Sequence, residues 1–143
     1  MSIYTDILKQ YWGYDSFRPL QEEIIRSVAD EGRDTLGLLP TGGGKSIIFQ
    51  VPALSKEGVC IVVTPLIALM KDQVENPRRR NINAVAVYSG LTFLEIQAAF
   101  DSCTFGGTKF LYLSPERLGT DLFLERLKTL KMSMLAIDEA HCI

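Results

Sequence analysis

Five short, nearly continuous apolar runs set the fold class of this chain: DTLGLLP (34–40), VCIVVTP (59–65), AVAVYS (84–89), KFLYLSP (109–115) and MSMLAID (132–138). A strand with water on one face alternates apolar and polar residues. A run that is apolar at nearly every position instead suits a parallel strand buried on both faces. Between the runs, KSIIFQVPALSK, PLIALMKDQVEN, LTFLEIQAAFDS and RLGTDLFLERLKTL carry apolar residues at helical spacing. Ahead of them all, Pro19 reads as the first residue of a helix with Ile24, Ile25, Val28 and Ala29 as its buried stripe. Such alternation implies right-handed βαβ units and a three-layer α/β sandwich around a mostly parallel sheet. With no internal repeat, low-complexity tract or linker, the 143 residues read as one domain or most of one.

Composition narrows the function classes. The net charge of −2 gives no global basic field, so any polyanion has to be met by local groups. Cys60, Cys103 and Cys142 are far apart and form no CxxC pair, which argues against a zinc site or disulfide framework and fits a reducing compartment. Neither a secretory signal nor an apolar stretch of about 18 residues is present, so the expectation is a cytoplasmic protein away from membranes. The sequence stops inside the apolar-acidic run MLAIDEAHCI rather than in a polar tail, as expected of a piece of something longer.

The stretch LLPTGGGKS (38–46) joins an apolar run to a helical one. In that context a glycine loop presents bare backbone N–H groups, at a helix amino end, to a phosphate chain. Gly42, Gly43 and Gly44, after Thr41, permit close approach because they lack a β-carbon. Lys45 then reaches the terminal phosphates as a point charge, and the Ser46 hydroxyl completes a Mg²⁺ coordination sphere. Leu39 stands where the phosphate-loop consensus has its first glycine. The bland alternative is a flexible turn ending in a surface lysine.

LAIDEAH (135–141) is an apolar strand that delivers acids at its carboxyl end. Asp138 is expected to hold Mg²⁺, largely through water, and Glu139 to orient and deprotonate the attacking water. His141 taken alone is more often structural. Upstream, YWGYDSFRPLQEEII (11–25) carries Tyr14, Arg18 and Gln21. A glutamine amide can pair with adenine N6 and N7, and a tyrosine ring or guanidinium plane can stack on the base. The alternative there is an amphipathic amino-terminal helix with an aromatic staple.

Thr64-Pro65-Leu66 and Ser114-Pro115-Glu116 share one arrangement, a strand ending in a hydroxyl and a proline before a helix. Both put a helix amino end on the carboxyl rim of the sheet, where ligands of parallel sheets bind. Two such ends beside the phosphate loop suit a longer polyanion read through its backbone, although hydroxyl-proline is also ordinary helix-start chemistry. The RRR run (78–80) reads as a solvated loop.

Taken in order, these stretches resemble the amino-terminal motor lobe of a RecQ-type DNA helicase in the DExH branch of superfamily two. GYDSFRPLQEEII resembles that family's adenine-reading motif zero, PTGGGKSIIFQVPAL motif I and VVTPLIALMKDQV motif Ia. LYLSPERL resembles motif Ib and AIDEAHC motif II, and His141 sets the last apart from the DEAD pattern. The resemblance implies an incomplete RecA-like phosphate-loop domain, truncated just after motif II. It implies that Tyr14, Arg18 and Gln21 hold adenine, that Lys45 and Ser46 bind the phosphates and Mg²⁺, and that Asp138 and Glu139 carry ATP hydrolysis. His141 would couple nucleotide state to DNA, and the family reaction is ATP-driven 3′ to 5′ unwinding in repair and recombination.

The same resemblance implies that the second motor lobe, its arginine finger and the DNA-sensing loop after motif II are missing from these residues. The 143-residue chain alone is therefore expected to unwind nothing, and its open sheet to self-associate. Two other readings compete: a phosphate-loop nucleotide switch or small-molecule kinase, and a non-catalytic DNA- or partner-binding module.

Overall fold

The computed structural model describes residues 2–31, 45–65 and 67–138. The chain divides into two compact units, Met1–Lys56 and Glu57–Ile143. The run at 34–40 lies outside the described residues; each of the other four expected strands forms.

In the first unit, three helices share one small core. Helix α1 (Ile3–Trp12) was not expected from the sequence, yet both of its ends are signed. The Ser2 hydroxyl accepts the Thr5 N–H at 3.2 Å, and Gly13, at φ 76°, sends its N–H to the Lys9 carbonyl. Tyr4, Ile7 and Leu8 then pack with Ile25 of α2 (Gln21–Ala29) and with Ile47 and Val51 of α3 (Ile47–Leu54). The helix expected to begin at Pro19 begins at Gln21 instead. Leu20 sits before it at φ 73°, a left-handed conformation that no helical residue adopts. Of its expected stripe, Ile25 is fully buried, while Ile24, Val28 and Ala29 are half-buried. The Tyr4 hydroxyl donates to Asp30; burial first, and that carboxylate second, push the phenol up to about 12.

The second unit is an α/β domain around a four-stranded parallel sheet, counted among the described residues. Its strands are β1 (Val59–Val63), β2 (Ala84–Val87), β3 (Phe110–Leu113) and β4 (Met132–Ile137), in the order β2-β3-β1-β4. β1 and β3 are buried at every position, which is what their unbroken apolar runs require. Helix α4 (Ile67–Arg78) links β1 to β2 in one direction across the sheet. Helix α5 (Phe93–Phe105), which links β2 to β3, and helix α6 (Asp121–Leu127), on the way from β3 to β4, run in the other. Right-handed crossovers therefore put α4 on one face and α5 with α6 on the opposite one. Ile96 and Phe100 of α5 and Phe123 of α6 accordingly join Ile61, Leu111 and Leu113 in a single core.

One glycine sets how β4 meets β1. Gly58 has φ +103°, and a β-carbon on it would lie 2.6 Å from the Lys131 carbonyl oxygen. That carbonyl accepts the Val59 N–H at 2.8 Å, and a bulge between Val59 and Cys60 follows before regular pairing resumes. The RRR run is solvated as expected, but it begins inside a helix: Arg78 is the last residue of α4, and Arg79 and Arg80 form the turn that follows. Arg78 closes α4 and its Nε donates to the Ala84 carbonyl at 2.9 Å, while Arg80 Nη1 donates to Asn76 Oδ1 at 2.7 Å. No helix among the described residues is long and apolar enough to cross a membrane.

Candidate functional site

Register lines up the residues just beyond the strands. Val87, Leu113, Val63 and Ile137 end the four strands, and three of the pairings between strands occur at these residues. The ladder then continues one step further: Ser114 N–H bonds Val87 O at 3.3 Å, Thr64 N–H bonds Leu113 O at 2.9 Å, and Asp138 N–H bonds Val63 O at 2.8 Å. Ser114, Thr64 and Asp138 therefore stand side by side on the carboxyl rim of the sheet, the edge at which parallel α/β sheets bind ligands.

Their side chains are not equivalent. Thr64 and Ser114 are fully buried, so neither hydroxyl is offered on the surface, and Ser114 Oγ is buried without a hydrogen-bond partner among the described residues. Asp138 is half-buried, and its Oδ2 accepts from Gln73 Nε2 of α4 at 3.2 Å. The helix start expected at Ser114-Pro115 is a short 3₁₀ turn, Pro115–Gly119, that includes Glu116. The α-helix begins only after Thr120, whose hydroxyl caps the Phe123 N–H. After Thr64-Pro65, by contrast, a helix does follow, with α4 starting at Ile67.

In the first unit, Lys45 and Ser46 are exposed at the start of α3. Their carbonyls open the helix by accepting from Ile48 at 3.3 Å and from Gln50 at 2.9 Å, and the Ser46 hydroxyl makes no cap bond. Tyr14 is 52% exposed in the loop after α1, Arg18 is exposed, and Gln21 is buried as the first residue of α2. Gln21 Oε1 accepts the Arg18 backbone N–H at 2.8 Å, which joins two of the three expected adenine-reading residues. A cavity of about 370 Å³ beside them is lined by Phe17, Arg18, Pro19, Leu20, Glu22 and Glu23, among others; Tyr14 does not line it. Thr41, Gly42, Gly43, Gly44, Leu66, Glu139 and His141 lie outside the described residues.

The donor set suits magnesium. Mg²⁺ keeps most of its water and takes one or two carboxylates together with substrate phosphates. Taken each in its own unit, Asp138 has a carboxylate at the sheet rim, a ligand type that Mg²⁺ accepts, and Ser46 a hydroxyl that its helix does not use as a cap. Among the described residues, burial pushes the Cys60 thiol up to about 12 and that of Cys103 up to about 11, so both stay protonated. Gln73 was not expected in the site, because its partner lies 65 positions away and no local pattern marks it.

Comparison with known proteins gives the family. The DEAD/DEAH box helicase family matches residues 18–143. The chain is 44% identical over 137 residues to "ATP-dependent DNA helicase RecQ" of Bacillus subtilis, covering 96% of this chain and 23% of that relative. It is 44% identical over 140 residues to the protein of the same name from Synechocystis, covering 96% and 29%. Against "ATP-dependent DNA helicase Q5" of Rattus norvegicus it is 37% identical over 143 residues, covering 95% and 15%. It thus spans 15 to 29% of the length of these three curated relatives. With the match running through both the phosphate-loop stretch and the acid at the sheet rim, the chain belongs to the DEAD/DEAH box helicase family.

Proposed function

We propose that this chain forms the first motor lobe of a RecQ-type ATP-dependent DNA helicase that moves 3′ to 5′ along single-stranded DNA in repair and recombination. The observation that carries the reading is the rim itself: Asp138, Thr64 and Ser114 in one row at the carboxyl ends of parallel strands, in a chain of this family. In this reading Thr41, Gly42, Gly43 and Gly44 cradle the ATP phosphates, and Lys45 neutralises the terminal ones. Ser46 and Asp138 hold Mg²⁺, which draws charge off the phosphates when bound. Glu139 takes the proton of the attacking water, and His141 couples nucleotide state to DNA. Tyr14, Arg18 and Gln21 read adenine.

Thr64, Pro65, Leu66, Ser114, Pro115 and Glu116 follow the DNA backbone. Because both hydroxyls are buried and the Thr64 and Ser114 N–H groups are taken by the strand ladder, the contact there falls to the turns that follow each proline rather than to side-chain oxygens. DNA junctions in the cytoplasm or nucleoid are the substrate, and a second motor lobe completes the nucleotide site. β4 pairs only with β1 among the described residues, and its Met132, Leu135 and Ile137 are 46 to 50% exposed. A strand that is unpaired on one side among the described residues and carries exposed apolar side chains supports self-association of the isolated chain.

ATP hydrolysis by the intact protein, with and without single-stranded DNA, tests the reading. It predicts DNA-stimulated hydrolysis and 3′ to 5′ unwinding, with no unwinding by the 143-residue chain alone. Hydrolysis indifferent to DNA, or phosphate transferred to a small acceptor, would replace it with the switch or kinase reading.

A further inference from the structure

The helix that leaves the rim also reaches back to it. α4 starts three residues after Thr64 and carries Gln73, whose Nε2 donates to Asp138 Oδ2 at 3.2 Å. A side-chain amide offers two donors and one carbonyl acceptor. One donor here engages the carboxylate, while Oε1 is buried with no hydrogen-bond partner among the described residues. Turning the amide over would set two acceptors face to face, so the carboxylate itself fixes this orientation. A buried acceptor without a donor is costly, and proteins keep such atoms where something else supplies the donor.

The backbone of Asp138 is already fixed by Val63. What Gln73 adds is control of the side chain: its amide holds one oxygen of the Asp138 carboxylate. It also sets beside the acid a carbonyl unmatched among the described residues, the kind of acceptor that water on a bound cation needs. Because α4 springs from Thr64-Pro65, the same hydrogen bond ties the acid's orientation to the placement of that helix start.

We infer that Gln73 is a positioning residue, fixing the Asp138 carboxylate for the magnesium-bound nucleotide. The inference rests on the reading of Asp138 as the metal-holding acid. Its test is a titration of the intact protein with Mn²⁺ in the presence of ADP, with free Mn²⁺ read by EPR. Wild type is compared with Gln73→Ala, Gln73→Met and Asp138→Asn; Gln73→Met fills nearly the same volume without hydrogen bonding, and thermal unfolding checks that each variant folds.

Both Gln73 variants are expected to weaken Mn²⁺ affinity by about tenfold or more. ADP affinity in EDTA should stay unchanged, and Asp138→Asn should weaken Mn²⁺ binding further. If Gln73→Met binds Mn²⁺ within twofold of wild type while Asp138→Asn has lost it, the role of Gln73 alone is overturned. If Asp138→Asn binds Mn²⁺ as wild type does, the reading of Asp138 is overturned and the inference goes with it.

Discussion

The backbone N–H of Asp138 donates to the carbonyl of Val63 at 2.8 Å, so the acid that ends β4 stands level with Thr64, the first residue beyond β1. Its height on the rim is set by the register of one strand pair rather than by a loop. Asp138→Asn keeps that backbone bond and the side-chain volume but removes the charge. It is expected to change stability by no more than about 1 kcal/mol and to lower magnesium-dependent ATP hydrolysis by roughly a hundredfold or more. Denaturant unfolding and steady-state hydrolysis of the intact protein measure the two effects separately.

Gly58 controls the same register from the other end of the strands. Alanine there would need φ +103° and would put a β-carbon 2.6 Å from the Lys131 carbonyl oxygen. Strain of this kind costs on the order of 1–3 kcal/mol, and relieving it means shifting the start of β4. Gly58→Ala should therefore lower the unfolding midpoint and also reduce hydrolysis, although the residue lies at the opposite end of β1 from the rim. Full activity in a destabilised variant would show that the β4 register does not set the acid.

Gln21 has two roles that separate chemically. Its Oε1 accepts the Arg18 N–H, so Gln21→Ala leaves a donor unmatched at a cost of about 1–3 kcal/mol. Gln21→Glu keeps an acceptor for that N–H but removes the donor that adenine N7 would use. The first variant should lose stability; both should lose preference for ATP over GTP. Nucleotide competition assays read the preference, and Gln21→Glu with unchanged discrimination would remove Gln21 from base reading.

The start of α5 supplies a pH signature. Thr92 Oγ1 accepts the Glu95 N–H at 3.2 Å, and Glu95 Oε1 accepts the Thr92 N–H at 3.0 Å. The backbone bond first, and the Thr92 hydroxyl second, hold the Glu95 carboxyl below its ordinary value. A carboxyl lowered on folding contributes stability above its unfolded pKa and loses it as pH falls through the folded one. Thr92→Ala should cost about 1 kcal/mol near neutrality. Glu95→Ala removes the carboxyl that the Thr92 N–H holds, and its deficit against wild type should narrow on acidification below the ordinary glutamate range. A gap that stays constant to acid pH would mean that the capping box does not form.

What the sequence made legible was whatever a single segment carries by itself. Strands β1 and β3 were readable because burial on both faces leaves no polar alternation to misread, and β2 and β4 because their runs are apolar even though β4 is not buried. Helix α1 went unread, although Ser2 and Gly13 mark its two ends, because its core partners come from α2 and α3. Ser114-Pro115 carries a good helix-start signature, but Thr120 with Asp121 behind it is a competing cap, and the α-helix nucleates there. RRR looked like loop because Pro77 precedes it; the proline instead sits in the last turn of α4, and Arg78 and Arg80 bond the nearby carbonyls. The pairing of Gln73 with Asp138 exists only once β1, α4 and β4 are assembled, so no spacing rule could have announced it.

The central claim is that Lys45 and Asp138 serve one nucleotide. A crystal structure of the intact protein with Mg²⁺ and a non-hydrolysable ATP analogue measures this directly. The account predicts Lys45 Nζ within about 3 Å of a terminal phosphate oxygen. It also predicts the Asp138 carboxylate on the same magnesium ion, directly or through one water. An analogue bound elsewhere, or held by Lys45 with Asp138 turned away from the metal, would contradict it.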